Sequence, residues 1–114
     1  MNPSLAVYGV LGMAILLEVI GTMFLQKSDQ FTRPAPTLLM GLCYLGAFYF
    51  LSHVLKSIPV GVAYALWSGL GILLISLVGY LVFRQSLDLA AWIGIGFIIL
   101  GVIILNVFSS TVPH

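Results

Sequence analysis

Charge is what this chain has least of. Four basic and three acidic residues among 114 give a formal net charge of +1, and only 6% of the chain is charged, against about 25% in a soluble domain. So small a charge cannot cover a folded surface in water, and it argues for no nucleic-acid role. Cysteine is nearly absent too. Cys43 lies in an apolar run, cannot close an intrachain disulfide and has no His or Cys at metal-ligand spacing, so its thiol reads as a packing group. Two histidines and three acids cannot assemble a Ser/His/Asp set, a metal cluster or a phosphate loop. The chain is therefore not expected to be an enzyme or to carry a metal or cofactor.

What the chain has instead is apolar length. It is 61% hydrophobic with a mean hydropathy of +1.20, and a helix needs roughly 20 apolar residues to cross a ~30 Å hydrocarbon core. Four runs qualify: Leu5–Leu25, Thr37–Leu55, Val60–Phe83 and Leu89–Phe108. The breaks QKSDQFTRPAP, KSIP and RQSLD each hold proline or charge, as turns require. The first run is too long for a signal peptide and lacks its basic start and small-residue cleavage site, so it counts as a span. The runs are continuous rather than alternating, which argues against a β-barrel. The expected fold is an all-α membrane protein, a single four-helix transmembrane domain over residues 1–114.

Four spans put both termini on one side with Lys56, and Lys27, Arg33 and Arg84 on the other. Three against one is a weak positive-inside signal. A bias this small permits insertion in both orientations.

All charged residues lie in the breaks except Glu18, in the second half of the first run (MAILLEVIGTMF). An ionised carboxylate there costs at least ~2.5 kcal/mol, so an intramembrane acid is read first as a functional site. The alternative is a protonated carboxyl hydrogen-bonded between helices. Glu18 shares its face with Leu11, Ala14, Ile15, Gly21, Thr22 and Leu25. Ala14, Gly21 and Thr22 are small, leaving space for a ligand or a second helix, and Thr22 adds a hydroxyl. No basic residue occurs in any of the four runs, so a positive partner for the acid must come from outside the chain, as a proton or a cation.

Aromatic residues supply the other half of a cation site. Tyr64 and Trp67 are three apart in the third run, with Gly71 on the same face, and Tyr44, Phe48 and Leu51 share a face of the second. Aromatic faces attract organic cations, with about 2 kcal/mol available when desolvated. Tyr8, Tyr80 and Trp92 lie near run ends and fit an interfacial belt instead. Desolvation favours the neutral form of a carboxyl and a cation favours the ionised form, so proton and cation compete for one such site. Mutually exclusive occupancy with alternating exposure is antiport. Transporters of this kind are built on inverted repeats about a midplane site; one four-helix chain has no such repeat, but two copies in opposite orientation supply it.

Glycines complete the pattern. Gly69 and Gly71 permit a bend in the third run, or simply close packing. Gly94 and Gly101, seven apart in the last run, share a face that suits a dimer contact or internal packing.

The pieces AILLEVIGT (Ala14–Thr22), QFTRPAPT (Gln30–Thr37), IPVGVAYALWSGLGILLIS (Ile58–Ser76), QSLDLAAWIG (Gln85–Gly94) and GVIILNVFS (Gly101–Ser109) resemble the small multidrug resistance family over nearly the whole chain. The resemblance implies an antiparallel, dual-topology homodimer in the bacterial inner membrane, exporting lipophilic aromatic and quaternary ammonium cations in exchange for protons. It implies Glu18 as the shared proton and substrate site. Tyr44, Tyr64 and Trp67 would line the substrate chamber, with Ala14, Thr22, Phe48, Leu51 and Ser68 near them. Gly69 and Gly71 would form a hinge, and Gly94 and Gly101 a dimer seam; Asn106 also matches, with no role legible in sequence. The pattern is broken by Gln26 where Lys is common, Ala47 where Ser is frequent, Tyr49 where Trp is frequent, and an unusual His53 that reads as interfacial or bonded to a carbonyl. The guanidinium-exporting branch typically carries Trp soon after the acid and Thr after AYAxW; this chain has Gly21-Thr22 and Trp67-Ser68, which favours the polyaromatic-cation branch. Betaine or choline export would satisfy the same chemistry, and a non-transporting scaffold is the reading in which Glu18 is dispensable.

Overall fold

The computed structural model describes residues 3–111. Four helices account for most of them: α1 (Pro3–Lys27), α2 (Pro34–Val54), α3 (Val60–Leu81) and α4 (Leu89–Phe108). All four are long and apolar enough to cross a membrane. They group into two compact units that divide between Lys56 and Ser57, one holding α1 and α2, the other α3 and α4.

Each helix begins where its backbone chemistry allows. Pro34 and Pro36 fall in the first turn of α2, where a missing N–H costs nothing, so α2 starts three residues before the apolar run does. Arg33 ahead of it is extended, as a residue preceding proline prefers. α4 opens on Asp88, whose carboxylate accepts the Ala91 N–H at 2.9 Å, an N-cap that satisfies one otherwise unpaired donor. α3 ends at Leu81 rather than at Phe83. The chain turns there through Arg84 at φ 56°, and the Gln85 N–H donates to the Gly79 carbonyl at 2.9 Å.

The α1–α2 connection is built on Ser28, which is fully buried. Its hydroxyl donates to the Leu25 carbonyl at 2.7 Å and accepts the Phe31 N–H at 3.2 Å. Its own carbonyl accepts the Thr32 and Arg33 N–H groups at 3.0 and 3.1 Å. Between these anchors Asp29, Gln30 and Phe31 are all left-handed, with φ of 48°, 60° and 67°. Such a conformation costs an L-residue roughly 1–2 kcal/mol, and the Ser28 and Thr32 hydrogen bonds offset it.

In the first unit α1 packs on α2. Leu11, Ile15 and Val19, at four-residue spacing, are buried together with Ala14 on α1, and Ala47 and Val54 on α2. In the second unit α3 packs on α4, with Val102 of α4 seated over Gly69 of α3, where a methyl group would collide with its Cγ2. Large apolar side chains such as Phe97, Val107 and Phe108 remain exposed on α4. Lipid tails are as apolar as these residues, so a membrane-crossing helix bears them without a protein partner.

Candidate functional site

Glu18 lies within α1, half-buried, fifteen residues beyond the helix's first described residue. The carboxylate does not stand alone. Thr22, one turn later, donates its hydroxyl to Glu18 Oε1 at 3.0 Å, and the same hydroxyl lies 2.9 Å from the Tyr44 hydroxyl of α2. Three groups on two helices thus form one continuous chain. Its ends are a carboxylate and a phenol.

Gly21 explains how Tyr44 comes so close. A Cβ there would lie 2.7 Å from Tyr44 Cε1, close enough to force the ring aside, and 3.2 Å from Cys43 Cβ, a tight contact. The space that the small residues beside Glu18 leave open is therefore filled, at Gly21, by the second helix. Gly46 plays a similar part on α2, where a Cβ would lie 3.2 Å from Leu17 Cδ1. Ala14 and Ala47 are fully buried, so neither side chain is open to a ligand in this structure. Phe48 is exposed and Leu51 half-buried on α2.

Tyr64, Trp67 and Ser68 belong to α3 in the second unit. Tyr64 is 72% exposed, while Trp67 and Ser68 are half-buried. α3 runs as unbroken helix through Gly69 and Gly71, and Gly69 has a packing reason to lack a side chain in Val102. Gly94 and Gly101 are exposed with open space over both. Asn106 donates its side-chain amide to the Val102 carbonyl one turn back at 3.1 Å, which gives this residue a local account that its sequence context did not. His53 is exposed in the last turn of α2, its ring edge-on to Tyr49 with centroids 4.8 Å apart.

A family model described as "Small Multidrug Resistance protein" matches residues 6–98. The chain belongs to the small multidrug resistance family. It is 48% identical over 114 residues to the multidrug transporter EmrE of Escherichia coli strain K12, covering 100% of both chains. It is 50% identical over 101 residues to the quaternary ammonium compound-resistance protein QacE of Escherichia coli, covering 89% of this chain and 92% of that one. With QacG of a Staphylococcus strain, also a quaternary ammonium compound-resistance protein, it shares 41% over 104 residues, covering 91% and 97%. With its four apolar helices, this member of the small multidrug resistance family is a multi-pass membrane protein.

Two residues of the site's frame carry little signal in the sequence. Gly21 registers in sequence only as a small neighbour of the acid, because the ring it accommodates comes from another helix. Ser28 carries no signal at all in a polar break, yet it anchors the turn that returns α2 to α1. A run of left-handed residues with no glycine among them gives no warning in composition.

Proposed function

We propose that the protein is a proton-coupled antiporter that exports lipophilic aromatic and quaternary ammonium cations across the bacterial inner membrane. The observation that carries this reading is Glu18 itself. It sits within a membrane-crossing helix, hydrogen-bonded to Thr22, while α2 packed beside it has no Lys or Arg and α1 has none before Lys27. Lys27 lies nine positions beyond Glu18, about 13.5 Å along a helix axis, too far for pairing. A proton or an organic cation fills that role, one at a time. The similarity to EmrE, a multidrug transporter, and QacE, a quaternary ammonium compound-resistance protein, supports the same substrate class.

In this reading Tyr44, Tyr64 and Trp67 line the chamber by their aromatic faces, with Ala14, Thr22, Phe48, Leu51 and Ser68 around them. Two copies in opposite orientation form an antiparallel, dual-topology homodimer and supply the inverted repeat that alternating access requires. Gly94 and Gly101, with nothing over them, suit close approach of a partner helix. Gly69 and Gly71 are the bend that changes shape between inward-open and outward-open states.

Proteoliposomes loaded to carry a pH gradient test the mechanism. Tetraphenylphosphonium uptake is expected with the native protein and its loss with Glu18→Gln, which cannot ionise. Uptake that survives the substitution would mean the acid does not couple proton to cation, and guanidinium or betaine uptake in place of tetraphenylphosphonium would reassign the substrate class.

A further inference from the structure

We propose that Thr22 is a positioning residue that relays the protonation state of Glu18 on α1 to the hydroxyl of Tyr44 on α2 by reversing the direction of the hydrogen-bond chain between them. The proposal rests on the antiport reading above and adds to it a route by which the second helix senses what the acid carries.

A threonine hydroxyl has one proton to donate and lone pairs to accept with. Thr22 makes both of its side-chain hydrogen bonds through that single oxygen, at 3.0 Å to Glu18 Oε1 and 2.9 Å to the Tyr44 oxygen. An ionised carboxylate only accepts, so with Glu18 ionised Thr22 donates to it. Its proton is then committed, and Tyr44 must donate to Thr22. The Tyr44 oxygen keeps lone pairs facing away from the chain, an environment that favours a cation.

A proton arriving on Glu18 Oε1 turns that oxygen into a donor. Glu18 then donates to Thr22, Thr22 donates to Tyr44, and the Tyr44 proton turns outward. One proton enters and none leaves; the two hydroxyls only rotate. Thr22 is the one side chain hydrogen-bonded to Glu18 among the described residues, and Ala47 on α2 contributes no hydroxyl. Gly21 holds the relay tight, since any side chain there would displace the Tyr44 ring.

The other titratable groups on the packed elements are few. On α2 these are Cys43, which lies against Gly21, and Tyr49 and His53, which engage one another's rings; α2 carries no acid and no Lys or Arg. On α1 Tyr8 and Lys27 lie ten and nine residues from Glu18, at least about 13 Å along the axis.

The test is the pH dependence of tetraphenylphosphonium binding by the full chain in nanodiscs, with infrared difference spectra of the Glu18 carboxyl band as a readout that needs no cation. Thr22→Val removes a donor to the ionised acid, so the binding midpoint is expected to move to higher pH by about one unit, the size of one lost hydrogen bond to a charged group. Thr22→Ser keeps the hydroxyl and is expected to restore the native profile. Tyr44→Phe keeps the ring and is expected to move the midpoint the same way by less, and the double variant no further than Thr22→Val alone, because the two act through one chain. The carboxyl band is expected to shift in both single variants. An unmoved profile and band in Thr22→Val, or effects of the two substitutions that simply add, would overturn the relay. Should Thr22→Val fail to fold, an unmoved band in Tyr44→Phe overturns it equally. If the native protein binds no tetraphenylphosphonium while the band still responds to Thr22 and Tyr44, the antiport reading falls and the relay stands.

Discussion

A single missing side chain at Gly21 lets a phenol on one helix reach a hydroxyl on another. Because a Cβ at that position would sit 2.7 Å from Tyr44 Cε1, Gly21→Ala forces the ring away and breaks its 2.9 Å contact with Thr22. Overpacking of this kind costs about 1–3 kcal/mol of stability, and with the Tyr44 ring displaced cation affinity is expected to fall as well. Isothermal titration with tetraphenylphosphonium at neutral pH checks this, and Gly21→Ala binding as tightly as the native chain would show that Tyr44 need not sit where it does. At this scale the sequence is a partial guide. Glu18 and Thr22 are four apart on one helix, so their pairing follows from helical geometry alone. Tyr44 shares only chemistry with them until the register of α2 against α1 is known. Nothing in twelve residues around an acid specifies which residue of a distant helix arrives beside it.

Helices separate what is local from what is not in the same way. The four spans are legible because length and apolarity are properties of each run by itself, and α4 begins and ends where its run does, Asp88 supplying the cap. The misplaced ends have physical causes: hydropathy treats Pro34 and Pro36 as breakers although a first turn accepts them, and it follows Val82 and Phe83 although the backbone has already turned. Gly69 shows how one residue serves an element in two ways. It admits Val102 of α4 in the structure, and in the proposed cycle it contributes to a bend. These uses separate in a mutant pair. Gly69→Ala is expected to destabilise the protein by about 1–3 kcal/mol through the collision with Val102, and to slow transport. Adding Val102→Ala removes the colliding methyl and is expected to restore the denaturation midpoint in mild detergent while transport stays slow. Recovery of both together would assign Gly69 to packing alone.

At the scale of the whole molecule, orientation depends on charges at the helix ends and connections. Lys56 follows α2 on one side, while Lys27, Arg33 and Arg84 fall at the other two connections. Positive residues in short loops near the spans set orientation, and in the proposed dual-topology reading a count of three against one permits both insertions, the helices carrying no other Asp, Glu, Lys or Arg than Glu18 and that same Lys27. Lys56→Ala makes the count three against none and is expected to fix one orientation, with Arg33 and Arg84 in the cytoplasm. The triple variant Lys27→Ala, Arg33→Ala, Arg84→Ala leaves none against one and is expected to fix the other. A reporter fused after residue 111 reads the orientation of each variant in cells. If function requires opposed copies, each locked variant alone confers little resistance to a quaternary ammonium compound, and the two expressed together restore it. Full resistance from a single locked variant would sink the antiparallel dimer while leaving the chemistry of Glu18 untouched, because the acid, its hydroxyl partner and the phenol all belong to one pair of helices in one chain.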